Sequence, residues 1–368
     1  MIKKSIILSI CIIMLCSNLS FADSPSIEGQ SGILIEADSG RILYSHNINR
    51  KLPMASTTKI MTALIALENG NLDDIVKVDK KSVGVEGSSI YLYEGEEISL
   101  KDLLYGLMLR SGNDSAVAIA KHIGGTVENF VDMMNKKAKE IGAYNTNFTN
   151  PHGLSDRNHY TTAYDLALIT REAMKNQHFK NIVKTKLWIA DRKRNRYFCN
   201  KNKTVFQYSG GDGVKIGYTT AAGRCLVASA TRNNMQLIAV VLNDYNWFND
   251  CYGLFDYGFE NYISYIVFDK GQLAKTVYVD NGQKEYLPLI TADKFLIPLK
   301  ESEKGKIKTV IKAPDKVEAP IIKGKSLGTV EVYLKGKLIH KENLLAKENI
   351  KEKNTLDKIY DFIQNLFK

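Results

Sequence analysis

The sequence predicts an α/β fold, with one sheet flanked by helices, followed by a small β-rich domain and an amphipathic tail helix. Three observations carry this expectation. Apolar strand-like runs stand at both ends of the early part of the chain, Ile33–Ala37 and Met235–Leu242 among them, with helical periodicity between, so one sheet must join distant segments. From about Gly271 the pattern turns to lysines, short strands and glycine turns. From Lys351 the apolar residues recur in helical steps. These shifts divide the chain into a leader over 1–22, a helix-flanked domain over 23–265, a β-rich domain over 271–345 and a tail helix over 350–368.

The leader has the three parts of an export signal. Met1-Ile2-Lys3-Lys4 is basic, Ile6 to Leu15 is apolar, and Ser20-Phe21-Ala22 offers a small-x-small cleavage site. The apolar run is short for a bilayer span, and Leu15 before Cys16 does not suit a lipoprotein signal. The expected address is therefore outside the cytoplasm, at the membrane face or the cell wall.

Ile33–Ala37 and Arg41–Tyr44 flank Asp38-Ser39-Gly40 and read as a β-hairpin. Pro53-Met54-Ala55-Ser56-Thr57-Thr58-Lys59 then leads into an apolar run through Leu67 that stops at Asn69-Gly70, a buried helix with a glycine exit. Ser99-Leu100-Lys101-Asp102 resembles a capping box for a helix through Leu109. That helix breaks at Arg110-Ser111-Gly112-Asn113, and another runs from Asp114 to His122. Val127–Ile141 is amphipathic and ends at Gly142, and Thr162 with Asp165 caps one more helix reaching about Lys175. Gly213–Tyr218, Cys225–Thr231 and Met235–Leu242 read as strands, the last two joined at Asn233-Asn234, and a helix from about Asn246 to Tyr262 closes the domain. In the β-rich domain Asn281-Gly282, Lys304-Gly305, Lys323-Gly324 and Lys335-Gly336 read as turns.

Composition narrows the function classes. The formal net charge is +10; without Lys3 and Lys4 the 50 basic residues become 48 against 40 acidic ones, a balance of +8. With no basic-aromatic stripe, this surplus points to an anionic envelope and not to nucleic acid. Cys199, Cys225 and Cys251 are odd in number and widely spaced, and read as buried free thiols. No C-x-x-C pair and no histidine spacing suggests a metal, and His152 and His159 read as structural.

Ser56 and Lys59 lie three residues apart, so a helix places hydroxyl and amine on one face. In an apolar wall the amine loses its proton readily and can take the serine proton. Downstream stand Ser111-Gly112-Asn113 between two helices and Lys215-Ile216-Gly217 on a strand. The set resembles the motifs of penicillin-binding proteins and class A β-lactamases. Longer blocks sharpen it: Pro53–Ala63, Asp102–Leu109, Asn150-Pro151-His152-Gly153-Leu154 and Asp212–Lys215 are similar to low-molecular-weight penicillin-binding proteins, the serine-type D-alanyl-D-alanine carboxypeptidases.

The resemblance implies a β-lactamase/transpeptidase-like sheet and the removal of the terminal D-alanine from peptidoglycan pentapeptide stems. It implies no cofactor and no metal. By the same resemblance Ser56 is the nucleophile, Lys59 its general base, and Ser111, beside Lys215, the relay to the leaving D-alanine. Asn113 holds the substrate backbone, and the N–H groups of Ser56 and Tyr218 form an oxyanion hole. Lys215, Gly217, Tyr218 and Thr219 complete the substrate side. The implied partners are stem peptides and β-lactam antibiotics. The stripe Leu356, Ile359, Tyr360, Ile363, Leu366 and Phe367, flanked by lysines, is read as a helix for a membrane surface.

One departure stands out. The family's third motif is usually Lys-Thr-Gly, and Ile216 here removes a hydroxyl that ordinarily helps bind the substrate carboxylate. Thr219 or Thr220 can substitute; Asn243–Cys251, where the family often carries an arginine, contains none, and the sequence leaves open how the carboxylate is held. A β-lactamase would need a positioned glutamate, and Glu172-Ala173-Met174-Lys175-Asn176 is the single tempting piece. A wall-binding protein with a decayed site is the non-enzymatic alternative, suggested by Ile216 alone.

Overall fold

The computed structural model describes residues 25–356 and 359. The leader over 1–22 lies outside the described residues, as does most of the tail stripe beyond Leu356. The chain forms two compact units: the first takes 25–34, 43–230 and 238–258, and the second takes 35–42, 231–237 and the residues from 259 onward.

The expected hairpin is β1 (Ser31–Glu36) and β2 (Ile42–His46). A 3-10 turn over Ala55–Thr58 leads into α1 (Lys59–Asn69), whose residues from Lys59 to Ala66 are all buried. The glycine exit differs from expectation. Gly70 is extended (φ −117°), and it is glycine for packing: a Cβ there would come within 2.6 Å of the Leu100 and Ile123 side chains. The short pair β3 (Ile75–Lys77) and β4 (Glu97–Ser99) follows, then α2 (Leu100–Tyr105), where Ser99 Oγ accepts from Asp102 N at 3.0 Å while the Asp102 carboxylate turns to Trp188 Nε1 and Asp191 N, so the cap forms by its serine half.

After α2 the coil widens into a π turn over Gly106–Arg110. Then come α3 (Asn113–Gly124) and α4 (Val127–Ile141), the latter stopped by Gly142 at φ +90°. Next is α5 (Ala163–Ala173), with Thr162 accepting from Asp165 N, and α6 (Gln177–Lys184). Helix α1 packs against α3 and α5. A second short pair is β5 (Leu187–Ile189) with β6 (Tyr197–Cys199). Cys199 alternates with buried Phe198 and so faces outward, whereas Cys225 and Cys251 are buried as expected.

One turn of helix, α7 (Thr204–Gln207), precedes β7 (Gly211–Thr219), β8 (Gly223–Arg232) and β9 (Met235–Leu242). Asn233 and Asn234 both take positive φ, +49° and +61°, the left-handed pair of a tight hairpin turn. Helix α8 (Trp247–Asn261) ends this part of the chain. The five-stranded sheet runs β2-β1-β9-β8-β7, so the first strand lies beside the last of the domain, as the separated apolar runs require.

The second unit begins its own strands ahead of the composition shift at Gly271, with β10 (Ile263–Phe268). There follow β11 (Leu273–Asp280), β12 (Tyr286–Thr291), β13 (Phe295–Leu299), β14 (Ile307–Lys312), β15 (Lys316–Glu318), β16 (Ser326–Leu334) and β17 (Lys337–Ala346). β10 pairs with β13, and the remaining six order as β14-β16-β17-β12-β11-β15 around a core of Val277, Leu287, Leu289, Val332 and Leu344. Lys304-Gly305 is not a strand turn. It lies in a 3-10 helix over Glu301–Lys306, where the Glu303 carboxylate accepts from Lys300 N. Glu303 also takes Arg41 through both oxygens (2.9 and 2.8 Å) and Lys335 at 2.8 Å. Burial opposes ionisation of Glu303, but these cations outweigh it and hold the carboxyl down at about 2.

Candidate active site

The site is built from the start of α1. Ala55 takes positive φ (+47°), which tightens the entry into a 3-10 turn closed by Thr57 Oγ1 to Met54 O and Thr58 Oγ1 to Ala55 O. In that turn residues three apart eclipse each other, so Ser56 stands directly over Lys59. Lys59 Nζ lies 2.9 Å from Ser56 Oγ, 2.6 Å from Asn113 Oδ1 and 2.6 Å from the His152 carbonyl. The side chain is fully buried, and that burial, seconded by the charges of Lys215 and Lys201 against Asp114, holds the amine well below the usual lysine range.

A neutral amine has two N–H groups and one lone pair. The Asn113 and His152 oxygens can only accept, so they take both N–H groups and leave the lone pair for the Ser56 hydroxyl. This arrangement can take a proton from serine without any movement of the lysine.

Ser111 follows the π turn and adopts the left-handed conformation (φ +66°, ψ +33°), the strained kind of position that recurs at functional sites. It is nearly buried, and its hydroxyl has no hydrogen-bond partner among the described residues. Asn113 is oriented at both ends, Oδ1 on Lys59 and Nδ2 on the Glu86 carbonyl. The neighbouring Asp114 carboxylate accepts from Ser89 Oγ and from the N–H groups of Ile90 and Leu92, pinning the loop that carries Glu86. A buried fork completes that anchorage: Arg192 Nε and Nη2 each lie 2.9 Å from a Glu96 oxygen, and Nη1 donates to Ile90 O.

Strand β7 passes the serine closely enough that a Cβ on Gly217 would sit 2.9 Å from Ser56 N. Lys215 is buried and donates to Ile216 O at 2.9 Å; among the described residues no hydrogen bond joins it to Ser111. Burial, with Lys201 adding to it, brings the Lys215 amine down to about 7. Tyr218 is exposed at the mouth. Thr219 Oγ1 accepts from Ala222 N at 3.1 Å and from Ser155 Oγ at 3.2 Å.

Sequence reasoning missed several contributors. The Asn150–Leu154 block acts through its backbone: Asn150 Oδ1 accepts from Gly153 N, turning the His152 carbonyl onto Lys59. Gly153 has φ +93°, and a Cβ there would collide with Ala55 O at 1.9 Å. His159 Nδ1 accepts from Thr149 N, so its Nε2–H donates to Thr58 Oγ1 at 2.7 Å and braces the serine turn. Burial pulls His152 down to about 3 and His159 to about 4, so both rings are neutral near pH 7. Lys201 lies near enough to depress both site lysines. Glu172, the candidate for a lactamase base, lies in the last turn of α5 and pairs at 2.7 Å with Lys175 just beyond it. No cluster of metal-ligating side chains occurs among the described residues.

Comparison with known proteins adds an independent line. A family model described as D-alanyl-D-alanine carboxypeptidase matches residues 19–246, and one described as penicillin-binding protein 5, C-terminal domain, matches residues 262–352. The D-alanyl-D-alanine carboxypeptidase DacF of Bacillus subtilis is 37% identical over 338 residues, spanning 88% of this chain and 86% of the relative. The D-alanyl-D-alanine carboxypeptidase DacC of Escherichia coli is 31% identical over 366 residues, spanning 94% and 90%. The solved structure of penicillin binding protein 5 from Haemophilus influenzae superposes with a TM-score of 0.77 at 31% identity, covering 90% of this chain and all of that one.

Proposed function

Because this chain belongs to the D-alanyl-D-alanine carboxypeptidase family and is a serine-type carboxypeptidase, we propose that it trims the terminal D-alanine from peptidoglycan pentapeptide stems through an acyl-enzyme on Ser56, and that β-lactams acylate the same residue. The observation that carries the mechanism is the hydrogen-bond geometry at Lys59 Nζ, which leaves one lone pair facing Ser56 Oγ.

Lys59 takes the Ser56 proton as Oγ attacks the carbonyl between the two D-alanines. The oxyanion forms against the N–H groups of Ser56 and Tyr218, each donor of such a hole contributing about 3–4 kcal/mol. Ser111, whose hydroxyl is uncommitted to the described residues, relays the proton held by Lys59 to the departing D-alanine nitrogen; the C–N bond breaks and Lys59 is neutral again. Water, deprotonated by Lys59, then opens the ester and returns Ser56. Asn113 binds the substrate backbone through the amide hydrogen not spent on Glu86 O. Lys215 supplies positive potential beneath the leaving group.

We assign catalysis to the domain over 23–265, and we place the protein outside the cytoplasm on the strength of its leader, its basic surplus and its peptidoglycan chemistry. The tail over 350–368 is read as a membrane-surface helix on its sequence alone; among the described residues no helix is long and apolar enough to cross a membrane. Mass spectrometry of the intact protein after penicillin tests the central reading. A single adduct on the Ser56 peptide, lost in Ser56→Ala, is expected; an adduct on any other serine would overturn it.

A further inference from the structure

By the resemblance described above, Ile216 stands where the family usually carries the threonine of its carboxylate subsite, and it offers no hydroxyl. The pairing of β7 with β8 shows what stands nearby. Ile216 lies opposite Leu226, and Tyr218 lies opposite Arg224. Side chains directly opposite on neighbouring strands share a face, as do residues two apart. Val214, Ile216 and Tyr218 therefore share one face with Ala228, Leu226 and Arg224, and Arg224 is the one charged side chain in that group. Leu226 is buried and Arg224 is exposed, so the face runs from the core to the mouth, with the cation at the mouth.

Arg224 is held but not neutralised. Its Nη1 donates to Tyr245 O at 3.0 Å and its guanidinium lies 5.9 Å from the centre of the Trp247 ring. It has no carboxylate partner among the described residues. The side chain lines an open cavity of about 520 Å³ together with Tyr218, Gly223, Asn243, Tyr245 and Trp247. The guanidinium rests on Tyr245 O and against Trp247, and Ile216 is not among the residues lining that cavity; a diagonal cross-strand neighbour is roughly 7–8 Å away, a distance an arginine spans on leaving Tyr245 O.

Of the two substitutes expected from sequence, Thr219 stands on the opposite face and Thr220 lines the same cavity as Arg224. The Thr219 oxygen accepts from Ala222 N and Ser155 Oγ, and its hydroxyl hydrogen remains to donate. From this geometry we infer that Arg224, acting across from the neighbouring strand, is the residue that captures the substrate's terminal carboxylate in place of the hydroxyl missing at Ile216. This rests on the carboxypeptidase reading given above. A planar fork matches a carboxylate with two parallel bonds.

The test compares acylation of the full chain by benzylpenicillin, which has a free carboxylate, and by its methyl ester, which has none. Arg224→Gln is expected to lower the second-order rate with benzylpenicillin by about tenfold or more, the scale of one bond to a charged group. The ester should change less than about twofold, because the ester already lacks the group that such a bond would recognise. Arg224→Lys should keep part of the benzylpenicillin rate, and Ile216→Thr should recover part of the loss in the Arg224→Gln background. With a D-Ala-D-Ala peptide the defect should fall on KM. Equal loss with both compounds would mean that Arg224 merely props the sheet end, and no loss with benzylpenicillin would give the carboxylate to another group; either overturns the inference. Failure of the unsubstituted protein to label at Ser56 with either compound would remove the carboxypeptidase reading itself, and this inference with it.

Discussion

At the level of single residues, two buried lysines in one site set opposite demands. Lys59 works only when neutral, and burial favours that state. Lys215 contributes positive potential only when protonated, and its amine has come down to about 7, first by burial and then by Lys201. Acylation should therefore rise with pH as Lys59 loses its proton, and fall on a limb centred near 7 as Lys215 loses its own. A pH profile of the second-order rate with penicillin measures both limbs. Lys215→Arg should move the falling limb upward by more than one pH unit, because a guanidinium stays charged; an unmoved limb would assign that ionisation elsewhere. Lys201→Met should shift both limbs upward, since removing a nearby cation favours protonation of each amine. The linkage has a thermodynamic side as well. Between about 7 and the ordinary lysine value the unfolded chain binds a proton at Lys215 that the folded one lacks, so stability contributed by this group rises with pH across that window.

Among the elements, the loop before α2 and the block before α5 matter because they present carbonyls. Gly87 has φ +93°, and a Cβ there would lie 2.8 Å from Asn113 Nδ2. Gly87→Ala should cost about 1–2 kcal/mol from the left-handed backbone, and should lower kcat/KM at least tenfold by displacing Asn113 from Lys59, since misplacing a positioned group by about 1 Å can cost a hundredfold. Peptide hydrolysis and a thermal melt on the same sample separate the two effects. Glu96→Gln leaves the Arg192 charge buried with half its fork, a change on the order of 3–5 kcal/mol, and a melt unchanged by it would show that the loop is anchored by Asp114 alone. The elements legible in the sequence were those with local signatures: the Gly40 hairpin, the apolar α1, the Ser99 and Thr162 caps, the Gly142 stop and the Asn233-Asn234 turn. The three-residue strands β3 to β6 are too short to show an alternation, and α6 went unread beside them. Ser56, Lys59, Asn113 and Gly217 were legible because short motifs carry them. Arg224 was not, because its place depends on the register between two strands, and the His152 carbonyl was not, because a backbone oxygen has no letter in the sequence.

For the whole molecule, the order β2-β1-β9-β8-β7 has a consequence in time. β1 ends at Glu36, and its neighbour β9 begins at Met235, so the centre of the sheet closes a loop of nearly two hundred residues. Loop closure of that length carries its entropy cost before any strand pairing offsets it, and folds dominated by such distant pairs form slowly. Ser56 and Lys59 emerge early from the ribosome, yet Lys215 and the strand that backs it come some 150 residues later. A growing chain halted before Met235 should therefore take no penicillin, and one released just past the end of α8 is the shortest expected to label; labelling of nascent chains arrested at successive lengths would measure this directly, and label on the shorter set would show that the serine turn is competent without its sheet. Bond-breaking power thus arrives late in synthesis, so the antibiotic becomes a clock that reports when the chain has finished folding.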